Sequence, residues 1–470
     1  MERPSKKVKL SSETDSAPVS LASLHREISP PVRSQPSPRP AQEDASGPKP
    51  PKHAKQTPRA LRSPVQLTHI RDLPAANNVD TVRLSDILGD PMIRECWQFN
   101  YLFDVDFLLS NFDEDVRSLV QVKVVHGSWQ KEAPNRVRVE TEPPKRGSGA
   151  RFKRDLLAYL KAYGPTKTGA LTKQLKDYDF QAVRAALVAS VPSRPHASDS
   201  NSDEGTLWGW LALKDLMNHI PTTDDDAQPN INVQISSVAT LGQTNKWLKD
   251  VFFKALAPDS TPRKSPKYSI IFPTPDEIRR SLDGYGSGGS IHMKTQSAAQ
   301  QKQVQYMRPH LCQWAGDSLT SGAHVDLSEE SSTREAGRRR AAPHIKTYIR
   351  FSDKDMKTIE WAMVSSANLS TQAWGAATNG NGEVRICSWE IGVVVWPELF
   401  SDDAGVSEEP SDLVMVPSFK RDTPASEANH SVVGFRMPYD LPLTPYGASD
   451  EPWCATASYD IPDWRGQKWI

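Results

Sequence analysis

His344 and Lys346 stand two residues apart in the run PHIKTYIRF, where His, Lys, Tyr and Arg alternate with Ile, Thr, Ile and Phe. A period of two is the signature of a strand, so the imidazole and the ammonium share one face. Ser352–Lys357 is a polar turn and Thr358–Ser365 a second apolar run, so the two runs are expected to pair as a hairpin with 351 opposite 358 and 344 opposite 365. Ser366 and Asn368 then arrive beside the His–Lys pair. Asn368 is expected to open a short helical stretch whose backbone N–H groups face the same space. An imidazole, an ammonium, an amide and a helix N-terminus around one point suit a phosphate: the cation and donors hold its oxygens while the imidazole moves a proton. A lone His-x-Lys carries little by itself, because any exposed strand can display one.

Several elements must position this stretch. DTVRLSDILG predicts a helix, and ECWQFNYLFDVDFLLSNF predicts an apolar, strand-like run. Val120–Gly127 (VQVKVVHG) predicts a buried strand. Arg151–Gly164 predicts an amphipathic helix with Leu156, Leu157, Leu160 and Tyr163 on its apolar face. Beyond it come a strand at Ala185–Val191, a helix at Trp208–His219, and a strand from Ile231 running into the turn at Gly242. The helix NKWLKDVFFKAL, a strand at Tyr268–Phe272 and the helix PTPDEIRRSLDGYGSGGS, which ends in glycines, follow. Alternating strands and helices indicate an α/β fold. Residues 1–75 are rich in Pro, Ser, Lys and Arg and read as a disordered tail. The stretch 315–342, acidic and then basic (EAGRRRAA), reads as a loop insertion before the His–Lys strand.

With 37% hydrophobic residues, the 470-residue chain can bury a substantial core, in two lobes. Its 57 basic and 57 acidic residues cancel, so bulk charge gives no argument for nucleic acid and any groove must be locally basic. Cys96, Cys312, Cys387 and Cys454 show no metal-ligand spacing. They read as reduced thiols of an intracellular protein, although their even number also permits disulfides. No apolar run approaches the roughly 20 residues of a membrane span, and no secretory signal core is present. Pro4–Leu10 (PSKKVKL) reads equally well as a nuclear address or as a solvated charge run.

HIKTY, then SSANLSTQAWG, then SWEIGVVV resembles the second catalytic motif of the tyrosyl-DNA phosphodiesterases, in the phospholipase D superfamily. Ordinary phospholipases have an Asp where Phe351 stands, and this family lacks it. QFNYLFDVDFLL, VVHG and FKRDLLAYLKAY resemble the family's first lobe in order. The resemblance implies a two-lobed mixed-sheet sandwich (α-β-α-β-α), with a tail at 1–75, a first lobe at 76–184 and a second at 185–470. It implies His344 as general acid/base, Lys346 and Asn368 as holders of the non-bridging phosphate oxygens, and Glu390 as the carboxylate that orients the imidazole. Ser237, Val238, Ala239, Thr240 and Ser370 correspond to DNA-contacting positions, and could equally be turn and cap residues. Tyr101 and Trp453 correspond to aromatic residues near the groove, and could stack on bases or belong to the core.

The same resemblance implies a nuclear, monomeric hydrolase of 3′-phosphotyrosyl DNA, single- or double-stranded. It would remove topoisomerase I peptides during single-strand break repair with no metal or other cofactor. The family's chemistry uses two His-x-Lys units, one per lobe, and the first would fall within Ser128–Ala150. That interval, SWQKEAPNRVRVETEPPKRGSGA, contains no histidine and is too short and polar for the strands that would present one. Two other His-x-Lys pairs exist. His53–Lys55 lies in the tail, and His292–Lys294 follows the glycine-rich GYGSGGS. In the family the position of His292 is not catalytic, and His126, which ends VVHG, is structural. The first lobe therefore reads as truncated. Three readings remain open: an enzyme with impaired turnover, a non-catalytic DNA-end-binding variant, and the product of a defective gene model.

Overall fold

The computed structural model describes residues 59–99, 104–125, 145–199, 205–223, 227–258, 265–316, 333–401, 413–420, 424 and 431–470. In chain order the elements begin with β1 (Ala60–Leu61), β2 (Leu67–Thr68), β3 (Thr81–Val82), α1 (Leu84–Leu88), β4 (Glu95–Gln98), α2 (Val105–Leu109), β5 (Gln121–Val124), α3 (Gly149–Ala162) and α4 (Pro165–Leu175). Next come β6 (Ala186–Ser190), α5 (Gly209–Met217), β7 (Asn230–Gln234), β8 (Ser237–Val238), a π-helix at Trp247–Phe253 running into α6 (Lys254–Leu256), β9 (Lys267–Ile271), α7 (Pro275–Arg279), β10 (His292–Met293) and α8 (Ala298–Met307). The remainder is β11 (Leu311–Cys312), β12 (Thr347–Phe351), β13 (Ile359–Ser365), α9 (Thr371–Trp374), β14 (Glu390–Val395), β15 (Leu413–Ser418) and β16 (Ser431–Arg436).

Ten strands form one mixed sheet in the order β1-β16-β15-β13-β12-β7-β9-β11, with β14 on β13 and β6 on β14. The sheet forks at β13: Ile359 pairs with Met415 of β15, whereas Ala362–Ser365 pair with β14. Strand alternation explains why both faces are covered. Ile231, Val233, Tyr348, Trp361 and Met363 face a core closed by α5, the π-helix, α8 and α9. Ile349, Phe351, Ala362, Met415, Val433 and Phe435 face the opposite way, against Met437, Tyr439 and Leu441. At the β6 edge, Leu187, Ala189 and Val191 pack on Tyr159 and Leu160 of α3. Helix starts follow their caps: Thr274 and Glu277 form a capping box on α7 with Pro275 in its first turn, and Ser297 and Gln300 do so on α8.

The fold is thus α/β with a mixed sheet, as the alternation of elements implies. Among the described residues this is the single large sheet. Apart from β1, all its strands come from beyond residue 185. The other strands and α-helices among the described residues before 185 are the two-stranded pairs β2–β3 and β4–β5 and the helices α1 to α4.

Several expectations change. Residues 1–58, with PSKKVKL and His53, lie outside the described residues, but 59–75 are ordered: β1 pairs with β16, and Leu67 is buried. The segment Val105–Leu109 is a helix capped by Asp104, because a side-chain oxygen three residues before Phe107 accepts its N–H. The strand expected to be buried at 120–127 is half-exposed over its described part: among the described residues β5 pairs with β4 alone, and Val124 is 43% exposed. Ile87, Met92, Val105, Phe107 and Leu119 are exposed in the same segment. In α3 the buried face includes Arg151 and Asp155, which pair with each other, and Leu157 is only partly covered. Within 315–342, residues 317–332 lie outside the described set. The EAGRRRAA stretch is packed: Arg338 is buried and donates to the Thr68 carbonyl, and Ala336 N–H and Arg339 both engage Asp440. The four cysteines are free thiols.

Candidate active site

The β12–β13 hairpin forms, with a different register. β12 begins at Thr347, and a bond from Ser365 N–H to the Lys346 carbonyl (3.1 Å) extends the pairing by one residue. Thr347 sits opposite Val364 and Arg350 opposite Trp361, while Phe351 sits opposite Ile359. Glu360 is the extra residue, a bulge stabilised by a buried ion pair with Arg350 and by Thr223, whose N–H (2.7 Å) and hydroxyl (2.6 Å) both donate to its carboxylate. On the His–Lys side of the bulge the pairing differs by two from the expected one, in which 347 would meet 362, and beyond the bulge it differs by one. A shift of two keeps every side chain on its face, so the His–Lys pair survives the error.

His344 and Lys346 precede β12 on one side of the chain: Lys346 Nζ lies 3.3 Å from His344 Nδ1 and donates to the His344 carbonyl at 2.5 Å. An ammonium has donors and no acceptor. While Lys346 is charged, Nδ1 must accept, and the neutral ring carries its proton on Nε2. Lys346 is only 6% exposed. Burial pushes its pKa down to about 8, with Glu390 opposing the fall. Burial of part of the ring, then the Lys346 cation, also lowers the pKa of His344, although one edge is open to solvent.

Glu390 opens β14. Its carboxylate accepts from Ser366 Oγ at 2.6 Å, and Ser366 Oγ in turn accepts from Ile391 N–H at 3.0 Å. Burial raises the Glu390 pKa, opposed first by Ser366 and then by Lys346. The cover comes from α3. The Glu390 charge acts on the hydroxyls of Tyr159 and Tyr163, and Tyr163 stacks on Trp389 with ring centroids 3.7 Å apart. Asn368 is fixed at the opposite rim. Its Oδ1 accepts from Ser236 N–H (3.0 Å), Ser236 Oγ (3.3 Å) and Ser237 N–H (2.9 Å). That leaves Nδ2 without a protein partner among the described residues. The cation and the imidazole thus touch, while Asn368 is held on the turn after β7, whose last residue Gln234 pairs with Thr347 of β12. A cation, an amide donor and an imidazole are the equipment for holding an oxyanion and moving a proton. Among the described residues no group of three His, Cys, Asp or Glu is placed to hold a metal.

The sequence model of the tyrosyl-DNA phosphodiesterase family matches residues 64–146 and 140–447. The chain belongs to the tyrosyl-DNA phosphodiesterase family. It is 24% identical to a probable tyrosyl-DNA phosphodiesterase of Schizosaccharomyces pombe over 558 aligned positions, covering 89% of this chain and 97% of that protein. It is 30% identical to the tyrosyl-DNA phosphodiesterase 1 of Drosophila melanogaster over 64% of this chain and 46% of that protein. A crystal structure of the yeast tyrosyl-DNA phosphodiesterase superposes with TM-score 0.56 at 18% identity, covering 85% of this chain and 99% of that one, which establishes a shared fold. The family is one of phosphodiesterase hydrolases with a phospholipase D-like fold. The fission-yeast alignment is longer than this chain, so parts of that relative have no counterpart here. The family match comes in two segments, which overlap at 140–146.

The other residues expected at a tyrosyl-DNA phosphodiesterase site divide sharply. Glu390 is bonded to Ser366, not to the His344 ring, and reaches the pair through its charge on Lys346. Asn368 does not open a helix: α9 starts at Thr371, capped by Ser370, whose Oγ accepts from Ala373 N–H at 3.0 Å. The Ser370 oxygen thus caps α9, and a hydroxyl that accepts in a cap keeps its O–H as a donor. In the turn after β7, Val238 is core. Ala239 gives its N–H to the Leu369 carbonyl, and its own carbonyl accepts from Gln303 Nε2. Only Ser237 Oγ and the exposed Thr240 keep polar side-chain atoms unengaged there. Trp453 is 0% exposed, bonded through Nε1 to the Gly288 carbonyl and packed between Tyr285 and Tyr459, so it is core and cannot stack on a base. Tyr101 and His126 lie outside the described residues. Sequence reasoning gave no role to Gln303, which clamps the turn from α8 through both Ala239 and Leu241, or to Tyr159 and Tyr163. Both features bring together residues distant in sequence.

Proposed function

We propose that this chain recognises DNA 3′ ends carrying a phosphotyrosyl group, such as a topoisomerase I peptide leaves, and that it binds them far better than it hydrolyses them. Lys346 and Asn368 Nδ2 hold the non-bridging phosphate oxygens. His344, when protonated, gives its proton to the tyrosyl oxygen as water adds to phosphorus and the P–O bond breaks; the covalent route, after which it would take a proton from water, needs the second imidazole. Ser366-held Glu390 supports the Lys346 charge, and Ser237 and Thr240 contact the DNA backbone without reading bases. The contact between His344 Nδ1 and Lys346 Nζ beside Asn368 is the observation that carries this reading.

Impaired turnover is proposed because a phosphohistidine route needs a second imidazole opposite His344, and Ser128–Ala150 has none. No metal takes part, since Lys, Asn and His supply the charge. The protein acts as a monomer in the nucleus, addressed by PSKKVKL. Fluorescence anisotropy with a 3′-phosphotyrosyl oligonucleotide, run beside a gel assay for release of the tyrosyl group, tests it. Retained binding with negligible release supports the reading, and loss of binding counts against it.

A further inference from the structure

His292–Lys294 is the one other His-x-Lys pair in the described residues, and it lies against the phosphate site. β10 runs parallel to β8 with His292 level with Ser237, and His292 N–H donates to the Ser236 carbonyl at 3.0 Å. Ser236 and Ser237 are the residues whose N–H groups hold Asn368 Oδ1. Met293 points into the core, so His292 and Lys294 take the opposite side of the strand. The His292 Nδ1 is buried without a hydrogen-bond partner. Nε2 is therefore the ring atom left to meet a ligand, and Lys294 is exposed beyond it. Ser237 Oγ, Asn368 Nδ2 and His292 Nε2 are neighbouring polar atoms with no protein partner among the described residues.

We propose that His292 and Lys294 form a second phosphate-contacting pair, so that the terminal phosphate of the DNA is gripped on one side by Lys346 and on the other by His292 and Lys294, with Asn368 between them. This rests on the reading of Lys346 and Asn368 as the phosphate site. It assigns His292 a binding role, in which Nε2–H donates to a phosphate oxygen and no covalent bond forms.

The test compares a labelled single-stranded oligonucleotide ending in a 3′-phosphate with the same strand ending in a 3′-hydroxyl. Both are titrated by anisotropy against the full chain, His292→Ala, Lys294→Ala and Lys302→Ala. Lys302 lies exposed on α8, so its removal changes net charge as Lys294→Ala does. The wild type should prefer the 3′-phosphate. His292→Ala and Lys294→Ala should each reduce that preference by about tenfold, as loss of one charged hydrogen bond does, and Lys302→Ala should leave it unchanged. Should His292→Ala fail to fold, the exposed Lys294 alone decides. Preference retained in both variants, or lost in only one of two folded variants, would overturn the pair and leave the proposed function standing. A wild type without any 3′-phosphate preference would overturn both.

Discussion

Replacing Lys346 by Met should make the protein more stable at neutral pH while weakening its grip on a 3′-phosphate. Lys346 is 6% exposed, and its pKa falls from the ordinary 10.5 to about 8, mainly through burial. At about 1.36 kcal/mol per pH unit, that fall corresponds to roughly 3 kcal/mol held against the charged form in the folded state. The group's folded pKa lies below its unfolded value. The penalty is therefore full below pH 8, shrinks as pH rises from about 8, and is gone above about 10.5. Met fills a similar volume without a charge but forfeits the 2.5 Å bond to the His344 carbonyl, so the expected net gain at pH 7 is about 1–3 kcal/mol. Urea denaturation of both proteins at pH 6.5, 8, 9 and 10 checks this. The Lys346→Met advantage should be largest at pH 6.5 and shrink steadily above pH 8. A variant less stable than wild type at pH 6.5, or an advantage flat across the series, would refute the reasoning.

Three further outcomes follow from the same structure. Wild-type affinity for a 3′-phosphate oligonucleotide should decline as pH rises through about 8, where the Lys346 cation is lost, and Glu390→Gln should move the midpoint lower by removing the charge that supports it; anisotropy across a pH series reads both. Trp453→Ala should cost about 3–5 kcal/mol by opening the core around Tyr285 and Tyr459, whereas a folded Trp453→Phe should bind DNA like wild type; denaturation and titration separate the two effects. DNA affinity should fall steeply with salt and vary little with base sequence, because the contacts are to phosphate; two strands of unrelated sequence titrated over a salt series test this.

The parts of the site set by local chain pattern were legible in the sequence. The alternation through HIKTYIRF put His344 and Lys346 on one side, and SSANLS brought Asn368 to the hairpin's end. The Glu360 bulge was not visible, because its cause, a buried partnership with Arg350 and Thr223, is tertiary. It did no harm because the pairing on the His–Lys side differs from the expected one by two, an even number, although the bulge itself inserts one residue. Roles resting on the partner of a side chain were read poorly. Nothing in the spacing says that Ser366, not His344, binds Glu390, or that Ser370 caps α9. Trp453 failed for the same reason: a tryptophan in a polar C-terminal segment looks available until Gly288, Tyr285 and Tyr459 close around it. β5 shows the reverse: its apolar pattern predicts a buried strand, yet among the described residues it pairs with β4 and Val124 stands in solvent.

The central claim is that the site keeps its phosphate grip and acid/base imidazole but lacks a nucleophile. Single-turnover cleavage of a 3′-phosphotyrosyl oligonucleotide at saturating protein, by wild type, His292→Ala and His344→Ala, tests it most directly. Loss of a catalytic nucleophile costs on the order of 10⁶ in rate, so all three should bind the substrate and release negligible tyrosine. Insertion of a family first-lobe block after Pro134 should restore turnover that still depends on His344. Robust cleavage by the wild-type chain would contradict the account, with its loss in His292→Ala placing the missing nucleophile on β10.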